Sequence, residues 1–596
     1  MKIFKRVLTL GLALLMTLGL VACGGGNSGA VTVDFMYGGD VALLEMYRMA
    51  INEFNNTVGK EQGIKINGIP KTSSINTILG QQLPAGDASD VLALADDYFK
   101  RYTNYFEDLS SLLDKTAHDD FYASIIGRYH YNIDTTTSNS TDPLYAVPVF
   151  NDATVLYYNK TVLKKNGVIC ISVDAEDLDA FNNGGKDLNG KTKADYGINV
   201  TVPAKGYYRS GNPFVPTAGV SDGSDWERPD GEVLIFNDRI AMNWDEIEDL
   251  AMLCTRQDSY NPDSESKYGY YSEWWFNYGW SVGGDCMEDL TGNGDWTYSL
   301  PAENPNYIVL DGKTYTGLYT GTVYSAGDTL DFKDILVAAK GATITCETDG
   351  TSTFDYLVDG EKATYRDFKT EIANGTLAKL PSIKEAFSRF VYLAGQGGLN
   401  VCPYPSDFNN QTAAGYFSQG EMALLVEKIS NFTNIAKIMR DEWSVAPLPQ
   451  YKTYTEPKNP ACDTVKVAGK TASHSLGYSL AINKAADSRI KDAAKVFVKW
   501  FGTDGQAFLA KKGYVSSRAS DEKLVLDNLP YANAEVILNS VKNSSAGDWW
   551  YMTDSNWITT WSNDLNNEVR YGKMSLEEFL YTHIEAANDA LKAYKK

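Results

Sequence analysis

At 596 residues, with 43% apolar and 22% charged side chains, the chain has the composition of a folded protein and is too long for one core, which excludes disorder and a single small domain. Its formal net charge of −22, from 54 basic against 76 acidic residues, excludes a nucleic-acid partner, because phosphate binding needs a basic face and no basic cluster is present. The 38 Tyr and 12 Trp supply flat amphipathic faces that suit ligand stacking as well as a core.

The first residues bear on the compartment. Lys2, Lys5 and Arg6 form a positive n-region, and Val7 to Leu20 form an apolar h-region too short and too early for a membrane span, so residues 1–22 read as an export signal. Leu20-Val21-Ala22-Cys23 then resembles the bacterial lipobox, after which the cysteine is lipidated and becomes the mature N-terminus. Gly24-Gly25-Gly26-Asn27-Ser28-Gly29 follows as a flexible tether, making 23–30 a lipidated linker. Lipidation at Cys23 implies an extracytoplasmic protein, anchored to the outer face of a membrane or held within a periplasm. The remaining cysteines, Cys170, Cys254, Cys286, Cys346, Cys402 and Cys462, have no metal-site spacing; disulfides are permitted, and no pairing follows.

After the tether, Val31 to Tyr37 reads as a buried strand, and Leu44, Tyr47, Ile51 and Phe54 share one face of the helix that follows. Ile64–Ile69 is a second strand, Ile75–Leu83 a second helix and Val91–Ala95 a third strand. This rhythm predicts right-handed crossovers and a largely parallel sheet. The turns after strands one and three carry Asp40 and Asp96-Asp97, where open α/β sheets gather ligands. Leu144 to Lys160 is an extended run rich in β-branched and aromatic residues, broken by Pro148; it is read as the hinge between two lobes, with Asn151 and Asp152 at the cleft.

Trp244–Asp258 reads as a helix capped by Asn243. The stretch Tyr268–Asp295 is dense in aromatics and glycine. Asp289–Asp295 has a loose likeness to a calcium loop, but Leu300 stands where the closing glutamate belongs. From about 300 to 373, short apolar runs among Gly, Thr, Tyr and Asp predict a β-rich or looped insertion. Further on, Gly415–Val426 runs from a helix into a buried strand, and Trp443–Pro449 is a short strand. Gly477–Lys484 is a strand leading into a helix, Ile490–Phe501.

Leu156-Tyr-Tyr-Asn-Lys160, Phe417-Ser-Gln-Gly-Glu-Met-Ala423, Val445-Ala-Pro-Leu-Pro449, Gly477–Asn483 and Ala493–Phe501 with Gly505-Gln506 occur in one order behind the lipobox. In that order the chain resembles the extracellular solute-binding proteins of carbohydrate ABC transporters, to which the maltose-binding protein belongs. The resemblance implies a two-lobed α/β fold, with lobe 1 over 31–148 and 445–511, and lobe 2 over 149–444 and 512–596. It implies capture of a carbohydrate between the lobes and delivery to transporter permease subunits, by a monomer with no catalysis, no cofactor and no metal.

Sugars need carboxylates and amides for their hydroxyls and aromatic faces for their C–H sides. The resemblance ranks Asp152 first, as an acidic residue beside the crossover strand, and Asp40, Asp96 and Asp97 after it. A hinge cap is the competing role for Asp152 and helix capping for the others. Trp274-Trp275 and Trp549-Trp550 fall in the lobe that supplies stacking residues, and adjacent side chains on a strand point to opposite faces, so one of each pair is expected at the cleft. Glu427 and Trp561 complete the candidates. Two other readings stay open: a secreted glycoside hydrolase, which also joins tryptophans with two carboxylates, and a peptide-binding lipoprotein of the same fold.

Overall fold

The computed structural model describes residues 29–592 except 73, 136–137, 212–230, 257–260, 285, 290–295, 299, 301–302, 304, 349–353, 396, 410, 530–532 and 548–555. In the N-terminal region β1 (Val31–Gly38) leads into α1 (Val41–Asn56), where the Asp40 carboxylate accepts the Leu43 N–H at 2.8 Å and satisfies a donor the first turn leaves open. Leu43, Met46, Tyr47, Ala50, Ile51 and Phe54 form the buried face of α1. β2 (Ile64–Lys71) runs parallel to β1, and α2 (Ile75–Ala85) ends at Gly86 with φ of 77°. β3 (Val91–Ala95), buried at every residue, pairs parallel with β1 and runs directly into α3 (Asp96–Tyr102).

The run singled out in the sequence is a single strand, β4 (Val147–Asn159), buried along all 13 residues. α4 (Trp244–Leu253), β5 (Tyr268–Ser272), β6 (Met422–Lys428), β7 (Trp443–Ala446) and β8 (Ser473–Ile482) follow in the chain, with α5 (Ser488–Trp500) packed on β1 and the two-residue β9 (Ser544–Ser545) on β8. The first half of β4 pairs with β8, from Val147 opposite Leu480 to Ala153 opposite Ser475. Its second half pairs with β6 on one side and β7 on the other. One nine-stranded sheet, in the order β2-β1-β3-β8-β4-β6-β5, therefore runs through both lobes, and β4 is its shared strand.

Pro148 leaves its mark on that strand. It has no N–H for the ladder, and the β4·β8 register shifts there: Phe150 lies opposite Tyr478 and Pro148 opposite Ser479, so Val149 is bulged out of the pairing.

The architecture is the two-lobed α/β fold expected, with a mixed sheet. β1, β2 and β3 are parallel, as their helical crossovers dictate, and β5 is parallel to β6, whereas β8 is antiparallel to β3 and β4, and β6 and β7 are antiparallel to β4. α4 carries the expected Asn243 cap, completed by Glu246 as a reciprocal capping box. It stops at Leu253, earlier than the sequence predicted, because Thr255 bonds back to the Ala251 carbonyl at 2.6 Å and the Arg256 N–H turns to Ser266.

The 300–373 insertion is β-rich. Thr314–Thr316 pairs with Val323–Ser325, Ile344–Thr348 with Phe354–Val358, and the whole is held by Pro305–Val309 pairing with Leu377–Ser382. It has small cores of its own, one around Tyr324, Leu330, Ile335 and Phe368 and one of Leu336, Ile344 and Tyr356. Buried Asp334 accepts from the N–H groups of Tyr319 and Thr320 and from the hydroxyls of Thr320 and Tyr324, which offsets its burial.

Candidate functional site

Side chains two apart on a strand share a face. On β4, Phe150 and Asp152 line a cavity of about 230 Å³, and Thr154, next on that face, lines a second of about 520 Å³. The end of β6 and the turn after it divide them: Glu427, Lys428 and Asn431 face the larger cavity, and Ile429, Ser430 and Phe432 face the smaller.

The larger cavity has the composition a polar, ring-shaped ligand needs. Its aromatic wall is Tyr271, Trp274, Phe408 and Tyr571; its polar groups are Glu273, Glu427, Lys428, and the amides of Gln411, Asn431, Asn563, Asn566 and Asn567. Trp274 sits in the turn between β5 and the helix Phe276–Ser281. Ser272 Oγ donates to the Trp274 carbonyl at 2.8 Å, and the indole stacks on Phe276 with ring centres 5.7 Å apart, which fixes its plane. Buried Arg570 donates to the Ser272 carbonyl and to Asn566 Oδ1, both at 3.0 Å, so one cation braces the turn and positions a cavity amide. Glu273 stands at the mouth. Enclosure, then repulsion from Glu427, pushes its carboxyl above the ordinary value, against the pull of Lys428 and Arg570.

The smaller cavity holds Asp40 and Asp152. Asp40 is the cap of α1 and also lines the wall. Asp152 is buried and accepts the Ser430 N–H at 2.9 Å and its hydroxyl at 2.7 Å; burial pushes its carboxyl up to about 6, with Lys428 and the Ser430 donors opposing. It is a cap for the turn after β6 and a cavity residue at once.

Asp96 and Asn151 are turned away from both cavities. Asp96 is paired with Arg128 at 2.8 Å and accepts Tyr129 Oη and the Gly477 N–H, each at 2.7 Å. Asn151 takes an Arg128 N–H at 3.2 Å and donates to Ser544 Oγ at 2.7 Å, while Arg128 also donates to Ser475 Oγ at 2.9 Å. Asp97, the next residue, lies half-buried at the start of α3. Its Oδ1 is enclosed without a hydrogen-bond partner, and burial followed by repulsion from Asp96 pushes its carboxyl up to about 7, with its own backbone N–H and Lys428 opposing.

Of the adjacent tryptophans, Trp274 reaches the cavity and Trp275 the core, where its ring centre lies 4.2 Å from that of Trp561. They separate in a turn rather than on a strand. Trp561 is fully buried and donates to Tyr298 Oη at 2.8 Å, which leaves it no face for a ligand. Glu427 lines the larger cavity. Trp549, Trp550 and Cys23, and the Asp289–Asp295 run after its first residue, lie outside the described residues. Among the described residues no group of three or more His, Cys, Asp or Glu is arranged to hold a metal.

Sequence reasoning passed over Glu273, Lys428, Ser430 and the amide helix. Glu273 and Lys428 directly adjoin candidates that were named, and Asn563-Asp-Leu-Asn-Asn567 is an amide-rich run two residues beyond Trp561. Those adjacencies were the available signal.

Residues 50–313 match the family of bacterial extracellular solute-binding proteins. Over that span, less than half of its length, this chain is similar in sequence to that family, and over nearly its whole length it is similar in fold to solved structures. It is similar in structure to an ABC substrate-binding protein from Listeria monocytogenes in complex with cycloalternan, with TM-score 0.54 and 13% identity over 95% of this chain and 99% of that one. It is also similar to a cyclic alpha-maltosyl-1,6-maltose binding protein from Arthrobacter globiformis, with TM-score 0.54 and 12% identity over 95% and 100%. A third is UgpB from Mycobacterium tuberculosis in complex with glycerophosphocholine, with TM-score 0.52 and 13% identity over 96% and 100%. Such low identity carries the fold and no ligand. No curated protein matches the sequence.

Proposed function

We propose that this protein is a lipid-anchored extracytoplasmic receptor that captures an oligosaccharide in the cleft between its lobes and hands it to the permease subunits of an ABC transporter. The lobes are taken as residues 31–148 with 445–511, and 149–444 with 512–596, joined through β4. The protein acts as a monomer without catalysis, held to the membrane by the lipid on Cys23 alone.

The observation that carries the reading is the larger cavity: a braced tryptophan face beside two carboxylates, a lysine and a row of side-chain amides, in about 520 Å³. Stacking and paired polar contacts are the two things a pyranose requires. Two of the similar structures are named for cycloalternan and cyclic alpha-maltosyl-1,6-maltose, which agrees with this; the third is named for glycerophosphocholine, so the cavity and not the fold must bear the argument. Closure of the lobes on the ligand is the motion such folds make.

The test is the melting temperature of the protein against mono- and oligosaccharides, with peptides as controls. A ligand that binds only the folded state adds about 2.7 kcal/mol at a hundredfold excess over Kd. A shift confined to one glycan series supports the proposal, and a response to peptides alone refutes it. Glu273 and Glu427 are also what a glycoside hydrolase would use, so the glycan is recovered afterwards; a shortened glycan converts the receptor into an enzyme.

A further inference from the structure

Two of the chain's four histidines meet away from both cavities. His118 lies on the short helix Lys115–Asp119, and His130 is bridged to Leu144 at the base of the loop that precedes β4. Their Nε2 atoms face each other at 2.9 Å, with the ring planes crossed at 67°. The other nitrogen of each ring is engaged from behind: His118 Nδ1 lies 3.2 Å from an Asp119 carboxylate oxygen, and His130 Nδ1 lies 2.7 Å from the Asp142 carbonyl. An ionised carboxylate and a carbonyl accept and cannot donate, so each Nδ1 carries its ring's proton. Two neutral imidazoles then have no hydrogen left for the space between the Nε2 atoms, and both present lone pairs to it. That space takes either a third proton, which makes a cation of a pair in which His130 is buried, or a metal ion.

We propose that His118 and His130 form a two-ligand site for a divalent transition-metal ion such as Ni²⁺ or Cu²⁺, bound by both Nε2 atoms with water in the remaining positions. At imidazole–metal lengths of about 2.0–2.1 Å, nitrogens 2.9 Å apart subtend about 90° at the ion, the cis angle of the tetragonal sites these ions prefer and not the tetrahedral angle of structural zinc. The partners behind the rings are those that metal-ligating histidines use to fix tautomer and orientation: a carboxylate for one, a backbone carbonyl for the other. Solvent reaches the pair, because the His118 side chain is 29% exposed. The site lies outside the cleft and does not rest on the carbohydrate reading. An ion there fastens the Lys115–Asp119 helix to the base of the loop leading into the hinge strand.

The experiment is calorimetric titration of the purified protein, carrying no histidine tag and first stripped with a chelator, with Ni²⁺ and with Cu²⁺. It is repeated on His118→Gln, His130→Gln and Asp119→Ala, whose melting temperatures without metal report that they are folded. The proposal expects a micromolar site that either Gln variant weakens by about tenfold or more, and that Asp119→Ala, which keeps both ligands, weakens by about tenfold. Electron paramagnetic resonance of the Cu²⁺ form is expected to show two imidazole nitrogens in the wild type and one in each Gln variant. His118 is part-exposed, so His118→Gln carries the comparison if His130→Gln does not fold. Equal binding by the wild type and the folded Gln variants places the ion elsewhere on the chain and overturns the proposal. A wild-type spectrum with fewer than two imidazoles overturns it as well. So does the absence of micromolar binding, which leaves the pair as a hydrogen bond sharing one proton.

Discussion

Ser430 closes its backbone N–H and its hydroxyl on the two oxygens of Asp152, at 2.9 and 2.7 Å. Asp152 is on β4, the strand shared by both lobes, and Ser430 is in the turn that divides the two cavities, so the contact ties the cleft wall to the hinge.

The buried network around Arg128 should dominate the stability of the hinge. Arg128→Met strips Asp96 of its ion-pair partner and should cost about 3–5 kcal/mol in urea unfolding. Gly477→Ala tests the same place from the other side: a Cβ there would lie 2.6 Å from Tyr129 Oη and 2.7 Å from the Asp96 carboxylate, so a loss of about 1–3 kcal/mol is expected.

Two adjacent tryptophans should behave oppositely. Trp274→Ala should keep the melting temperature within a few degrees and lose ligand affinity by about tenfold or more, as a stacking face is removed. Trp275→Ala opens a hole in the core beside Trp561 and should destabilise by about 3–5 kcal/mol. Paired melting and titration measurements separate the two.

Asp97 gives a pH signature. Its folded-state carboxyl, pushed from 3.8 up to about 7, keeps its proton where the unfolded chain has lost it. The folded state thus binds more protons between roughly pH 4 and pH 7, and this group's contribution to stability falls as pH rises through that window, then levels. Asp97→Asn removes the fall: the stability of the wild type minus that of the variant should decline from pH 4 to 7, measured by urea unfolding at each pH.

Among the described residues, none from 300–373 lines either cavity. Replacing 311–375 by a short turn between the paired strands Pro305–Val309 and Leu377–Ser382 should leave a cooperatively melting protein with ligand affinity within about threefold of the wild type. A tenfold loss would place the insertion over the cleft.

Much of the scaffold was legible because it is local. The apolar faces of α1 and α5, the capping residues Asp40 and Asn243, and the all-apolar β3 are set by neighbours in sequence. The hinge was legible as an extended run with Pro148, though the bulge at Val149 needs a partner strand from 330 residues away and could not be read. The site was half legible. Trp274 and Trp275 look alike in sequence; only the turn after Ser272 decides which one meets solvent. Asp96 and Asp97 also look alike, and it is Arg128, brought from another element, that claims the first and leaves the second without an ion pair among the described residues. Residue type shows what a side chain can do, and long-range packing selects which copy is free to do it.

The most direct test of the receptor account is a calorimetric titration with the oligosaccharide that raises the melting temperature most, followed by a mass spectrum of the ligand recovered from the complex. The account predicts saturable one-to-one binding, a micromolar or tighter Kd, and a ligand of unchanged mass. No heat with any saccharide, or a ligand returned shorter than it was added, would contradict it.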